Sequence, residues 1–242
     1  MLVRHRTDEL MDDPALDARS HDHALAGLRR INAWTRSHRL LWPIVSKWAR
    51  RTNAEGRSLH VIDVATGSGD APIAMACLAR QAGLAIDWTL VDRSAHALSV
   101  AVDAARRARV DVRTVEADVV ASALPIEGDL VTCSLFLHHC ERPDAVRVLR
   151  HMAGAARLAI AVTDLDRTRA GLWLAWLGSR ILSRSSIVHH DAPASVRAAF
   201  RADEILEIAR EAGVDGTSIA WRWPARWTLV GHRACDVTRG RA

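Results

Sequence analysis

The chain's candidate chemical groups are carboxylates and histidines placed at the ends of apolar runs. The run Leu59-His-Val-Ile-Asp63-Val64 carries an acid near its end, passes through Ala65-Thr66-Gly67-Ser68-Gly69-Asp70 and continues as a helical stretch from Ala71. A strand, a glycine turn and a helix start form a nucleotide-binding corner, because the first N–H groups of the helix face the ligand. Gly67 and Gly69 let the backbone bend sharply and come close to a ligand with no Cβ in between. A nicotinamide or flavin fingerprint, G-x-G-x-x-G, is not met, since Pro72 stands where the third glycine would be. Asp92 follows the next apolar run, 23 residues beyond Gly69. A carboxylate there can accept one hydroxyl of a ribose diol on each oxygen. Its plainer reading is an acid opening the helix Ala95 to Ala108, which Ser94 caps. Asp118 follows the third run and either faces a base or caps a short turn toward Pro125.

Three histidines are candidates for moving a proton. His138 and His139 follow the fourth apolar run, and His190 stands beside Asp191. Imidazole, with a pKa near ~6.5, suits that work. The alternative for each is a histidine that satisfies a backbone group or caps a helix. His21-Asp-His23 and His189-His190-Asp191 are metal-ligand types, but neither makes a complete set, so no metal is expected. Gly67-Ser68-Gly69 belongs to the glycine turn and is no hydrolase elbow.

The elements that must position these groups read in order. Pro14 to Arg51 has helical spacing, with Leu41, Val45 and Trp48 on one run and an interruption at Pro43. Strands follow at Leu59–Val64, Ala85–Val91, Val110–Glu116, Asp129–Ser134 and Arg157–Thr163, with helices between them. A helix spans Thr168 to Leu182 and another Asp203 to Ala212, stopped by Gly213. Thr217–Trp223 and Trp227–His232 pair as a hairpin about Pro224. A parallel dinucleotide-binding sheet does not normally end in such a hairpin. Residues 1 to about 12 read as a loose polar tail.

The pattern Asp63-x-x-x-Gly67-x-Gly69-Asp70 resembles the first motif of class I S-adenosylmethionine-dependent methyltransferases, with Ala65 at the family's usual first glycine. Asp129-Leu-Val-Thr-Cys-Ser-Leu-Phe-Leu-His-His139 is similar to that family's fourth-strand motif. The resemblance implies an α/β fold: a doubly wound, seven-stranded Rossmann-like sheet of order 3-2-1-4-5-7-6 with its last strand antiparallel. It covers about residues 59 to 232. It further implies an S-adenosylmethionine cofactor held by Asp63, Ala65, Thr66, Gly67, Gly69, Asp92, Arg93, Asp118, Val119 and Ser134. Asp118 would meet the adenine amino group, and the N–H of Val119 the ring. Arg29 or Arg30 would reach the cofactor carboxylate.

A narrower resemblance rests on Thr163-Asp164-Leu165-Asp166-Arg167 and His190-Asp191-Ala-Pro-Ala-Ser195-Val-Arg197-Ala-Ala-Phe200, with Leu10-Met-Asp-Asp13 and Gly27-Leu-Arg-Arg-Ile-Asn32. These are similar to bacterial small-molecule methyltransferases found with type III polyketide synthases. That implies a phenolic or polyketide-derived acceptor methylated on oxygen. Methylation of a quinone-like ring carbon, a nicotinamide-dependent oxidoreductase and a non-catalytic S-adenosylmethionine-binding protein are the rival readings. His139, His138 or His190 would be the general base, and Asp164, Trp173 and Arg197 would meet the acceptor. The Trp-rich insertion suits an aromatic or lipid-like acceptor, or else packs in a core or dimer face.

The 242 residues suffice for one methyltransferase domain. It divides into an N-terminal helical cap (1–58), a cofactor-binding core (59–164), a lid insertion (165–201), and a last helix with the hairpin (202–242). The formal charge is +5, yet Lys47 is the single lysine and the arginines are spread along the chain, which argues against a nucleic-acid groove. Cys77, Cys133, Cys140 and Cys235 form no C-x-x-C pair and read as reduced cytosolic thiols. Met1-Leu-Val-Arg-His-Arg is no signal peptide. The longest apolar stretch, 171–182, is short of a membrane span. A cytoplasmic protein, monomeric or homodimeric, is expected.

Overall fold

The computed structural model describes residues 2–7, 10 and 38–233. The first described helix, α1, is His38–Ala54. It runs through Pro43 rather than breaking there. Proline this near the helix start removes one N–H, and burial of Leu41, Val45 and Ala49 against the sheet holds the helix together. The expected helices ahead of it, with Arg29, Arg30, His21 and His23, lie outside the described residues, as does Cys235.

The sheet is built from β1 Leu59–Val64, β2 Ile86–Asp92, β3 Arg113–Glu116, β4 Gly128–Ser134, β5 Ala156–Leu165, β6 Val214–Arg222 and β7 Arg226–Arg233. Their order is β3-β2-β1-β4-β5-β7-β6. The first five pair in parallel, and β7 lies antiparallel between β5 and β6. The helices between the strands are α2 Asp70–Gln81, α3 Ala95–Ala108 and α4 Arg142–Ala155. β1 and β4 are buried along almost their whole length because both of their faces are covered. β3 is shorter than its alternation predicts. Arg109 closes α3 in the left-handed conformation (φ 53°), and the Val110 N–H bonds back to Ala105 rather than to β2.

The insertion after β5 is a helix pair, α5 Arg169–Leu182 and α6 Ser186–Ala198, followed by α7 Ala202–Glu211. Thr168 caps α5 by accepting the N–H of Gly171 at 3.0 Å. Trp227 of β7 is fully buried and donates its indole N–H to the Phe200 carbonyl at 3.0 Å, which ties the end of the helix pair to the sheet. Trp227→Ala therefore removes a large core side chain and leaves a buried carbonyl unmet. It is expected to lower stability by about 3–5 kcal/mol in urea denaturation; a loss under about 1 kcal/mol contradicts the assignment.

Candidate active site

The parallel strands aim their C-terminal ends at one edge, and the glycine turn is held there from below. Asp63, buried in β1, accepts the Thr132 hydroxyl at 2.6 Å on one oxygen and the Thr66 hydroxyl at 2.8 Å on the other. It thereby ties the turn to β1 and β4. Burial pushes its carboxyl up to about 6, against the two hydroxyl bonds and with a small addition from Asp92. Ala65 takes φ 50°, the left-handed conformation that explains the family's preference for glycine there, at a cost of about 1 kcal/mol. Gly67 (φ 54°) faces open space. A Cβ on Gly69 (φ 74°) would stand 3.1 Å from both Ala101 and Ile73, so this glycine lets α2 and α3 close on the turn.

Asp92 reaches across from β2. One oxygen accepts the N–H of Gly67 at 2.8 Å and the other the N–H of Ser94 at 3.0 Å. Each oxygen keeps a second lone pair for a ligand hydroxyl. Asp118 accepts from Val120 at 2.8 Å and Ala121 at 3.3 Å while lining the same cavity, so it caps a turn and also faces the ligand space.

That cavity measures about 580 Å³, within the range of small-molecule sites. Its walls are the glycine turn at Ala65 and Gly67, Asp92 and Arg93, residues 117–120, Leu135 and Phe136, residues 138–140, and Asp144. Arg6, Thr7 and Ala198 complete the wall from the N-terminal segment and α6. Asp63, Thr66, Gly69 and Ser134 shape the wall from behind without lining it. Just past Ser134, Leu135 takes φ 55° and donates its N–H to the Thr163 carbonyl at 2.9 Å. Leu135 and Phe136 were not among the sequence candidates, because a strained leucine carries no sequence signature.

The two neighbouring histidines differ in surroundings. His138 is buried, lines the cavity, and sets its Nδ1 2.7 Å from one oxygen of Asp164. Its backbone N–H meets the other Asp164 oxygen at 3.0 Å. Burial pushes the Asp164 carboxyl up, but the charge of His138 and hydrogen bonds from His138 and Leu165 outweigh this and hold it below the ordinary carboxylate range. Buried Arg226 lies close enough to interact electrostatically with Asp164; burial lowers its own value to about 10. The ring of His139 stacks at 4.1 Å on that of His138. Burial first, and His138 second, lower His139 to about 3, so it is neutral at physiological pH.

The residues expected to meet the acceptor are placed elsewhere. Asp164 is fully buried behind His138 rather than on the cavity wall. His190 and Arg197 share the outward face of α6, and Trp173 is exposed on α5; none of the three lines the cavity. Asp191 turns inward and accepts the N–H of Leu10 at 3.0 Å. Among the described residues no cluster of three or more His, Cys, Asp or Glu is arranged to hold a metal.

Residues 2–7 form an ordered strap instead of a loose tail. Arg4 donates to the carbonyls of Ala198 (2.7 Å) and Cys140 (2.6 Å) and lies 4.0 Å over the Phe200 ring. Arg167, itself buried and paired with Glu204 at 2.5 Å, donates to the Leu2 carbonyl at 2.9 Å. Arg6 bonds Glu141 at 3.2 Å. These anchors set Arg6 and Thr7 on the cavity.

Fold and site together define a Rossmann-like α/β chain with a glycine-turn corner at the C-terminal ends of its parallel strands. Residues 61–157, the part that carries this corner and the histidine pair, match the family model described as a methyltransferase domain, and the sheet has the strand order of the Rossmann-like methyltransferase fold. No curated protein sequence matches it. Among solved structures it resembles the S-adenosylmethionine-dependent methyltransferase SibL in its apo form (TM-score 0.64, 21% identity), covering 95% of this chain and 63% of SibL, less than two thirds of that protein. It also resembles magnesium protoporphyrin IX methyltransferase (ChlM) from Synechocystis PCC 6803 with bound SAH (TM-score 0.52, 18% identity, covering 91% of this chain and 89% of that one). A third is the plantazolicin methyltransferase BpumL in complex with SAH (TM-score 0.57, 12% identity, 89% and 88%).

The raised carboxyl of Asp63 gives a test of the support beneath the turn. A raised folded-state value stabilises the fold fully below the unfolded value near ~4, and that stabilisation is lost as pH rises toward about 6. The shift amounts to about 3 kcal/mol across the window. Relative to Asp63→Asn, the natural chain should lose stability by up to that amount between pH 4 and pH 7 in urea unfolding. A pH-independent difference between the two would contradict the burial assigned to Asp63.

Proposed function

We propose that this chain transfers a methyl group from S-adenosylmethionine to a hydroxyl oxygen of a small phenolic or polyketide-derived acceptor, with His138 as the general base. The observation that carries this reading is His138, backed by buried Asp164, on the wall of a cavity that also holds the Asp92 and Asp118 carboxylates.

The residues fit the cofactor. Gly67 leaves open space where a Cβ would intrude, Asp92 has lone pairs for a ribose diol, and Asp118 with Val119 suits an adenine edge. When bound, the sulfonium supplies an already activated methyl group. The chain must therefore position the acceptor, exclude water and remove a proton. A phenol with a pKa near ~10 becomes a strong nucleophile once its oxygen loses the proton. His138 would take that proton from the acceptor hydroxyl, with Nδ1 held by Asp164. Asp164 fixes the imidazole through Nδ1 and stabilises the resulting imidazolium, the role an orienting carboxylate plays behind a catalytic histidine. His139, lowered to about 3, is too weak a base to match a phenol and serves as a neutral wall. The strap at Arg6 and Thr7 closes the cavity toward water.

Acceptor chemistry and oxygen as the methylated atom come from the narrower sequence resemblance and the phenol-suited base. A cytoplasmic location accords with the reduced thiols Cys77, Cys133 and Cys140.

Calorimetric titration with S-adenosylhomocysteine, with NADH as control, tests the cofactor. Micromolar binding is expected, weakened by at least tenfold in Asp92→Ala; preference for NADH overturns the reading. With a phenolic acceptor, His138→Gln is expected to lower kcat by 10²–10⁴. His139→Gln should keep the natural pH profile. The reverse pattern moves the base to His139, and methylation on ring carbon, seen by product mass spectrometry and NMR, would replace the oxygen assignment.

A further inference from the structure

Among the described residues, seven large apolar side chains are exposed, and five of them sit on α5 and the β6–β7 hairpin: Trp173, Trp176, Ile181, Trp221 and Trp223. The two elements touch. A Cβ on Gly171 would lie 2.8 Å from that of Ala225 in the hairpin turn, and the Asp166 N–H meets the Ala225 carbonyl at 2.9 Å. Trp173 and Trp223 thus flank one contact. α5 is strongly apolar, yet its buried residues are only Gly171 and Ser179. Four tryptophans held this far out of a core are costly to leave against water.

The charge that the two stretches themselves carry has one sign. No acid occurs between Arg167 and His190 or between Thr217 and Arg233, while Arg169, Arg180, Arg184 and Arg222 are exposed there. The Arg180 guanidinium stacks on the Trp176 ring at 4.2 Å. An apolar helix with tryptophans and arginines and no acids is the composition of a segment that lies in a lipid headgroup layer. Indole rings favour that boundary, and each arginine near an anionic surface adds attraction. At 14 residues, about 21 Å, α5 is too short to cross, and no described helix is long and apolar enough to do so. A second copy of the chain is a poorer fit, because self-pairing would oppose arginines to arginines with no carboxylate between them.

We propose that the face formed by α5 and the β6–β7 hairpin docks the enzyme on an anionic membrane surface. The test is co-sedimentation of the full chain with vesicles of mixed phosphatidylglycerol and phosphatidylcholine, against vesicles of phosphatidylcholine alone. Binding to the anionic vesicles that falls with salt is expected. Arg180→Gln with Arg184→Gln should weaken it about thirtyfold, and Trp176→Ser with Trp223→Ser at least tenfold, with melting temperatures unchanged. The proposal is overturned by no binding to anionic vesicles, or by binding undiminished in both double variants. It is also overturned by a dimer that the tryptophan variant dissociates, or by duplex DNA outcompeting the vesicles. None of these outcomes depends on the cofactor or the reaction.

Discussion

A carboxylate that burial keeps away from water organises the ligand corner. Asp63 is almost wholly enclosed and satisfied by two threonine hydroxyls, one from the neighbouring strand and one from the turn it supports. An unsatisfied buried carboxylate would cost several kcal/mol, so the turn can take few shapes that keep Thr66 in contact. Ala65, Gly67 and Gly69 are all left-handed within that constraint. The Gly67 N–H is then delivered to Asp92, and the cofactor side of the cavity inherits its geometry from a residue that does not line it.

A second buried acid plays the corresponding part beneath His138. Asp164 ends β5 where antiparallel β7 runs beside it, with Trp227 as its register partner. Its oxygens are committed to His138 and Leu165. The cavity wall is therefore shaped by two interior carboxylates, each reaching the cavity through a neighbour. Such an arrangement suits a reaction in which the chain positions reactants and accepts one proton.

The glycine-turn corner was legible in the sequence because its signals are local. Glycines at a strand-to-helix turn and acids at successive strand ends follow from short-range geometry, and the sheet order followed from the family resemblance together with the terminal hairpin. The difference in surroundings between His138 and His139 was not legible. It is set by Asp164, 26 residues away, and by burial that no local pattern reports. The lid motif suggested that His190 and Arg197 meet the acceptor, but on α6 they fall seven positions apart on the outward face, opposite buried Asp191, Ala194 and Ala198. The strap escaped notice for another reason. Arg4 and Arg167 hold it largely through backbone carbonyls, which leave no mark in side-chain identity.

The strap also bears on biosynthesis. Its partners lie 165 residues onward for Leu2 and 194 for Arg4. At ribosomal rates of about 5–20 residues per second, the strap waits roughly ten to forty seconds for the carbonyls and guanidinium that anchor it. The sheet's first half can pair while that segment is still unattached. The cavity wall is thus completed only when two segments made far apart in time are both present, and a ribosome stalled before Ala198 would leave one side of the cavity open.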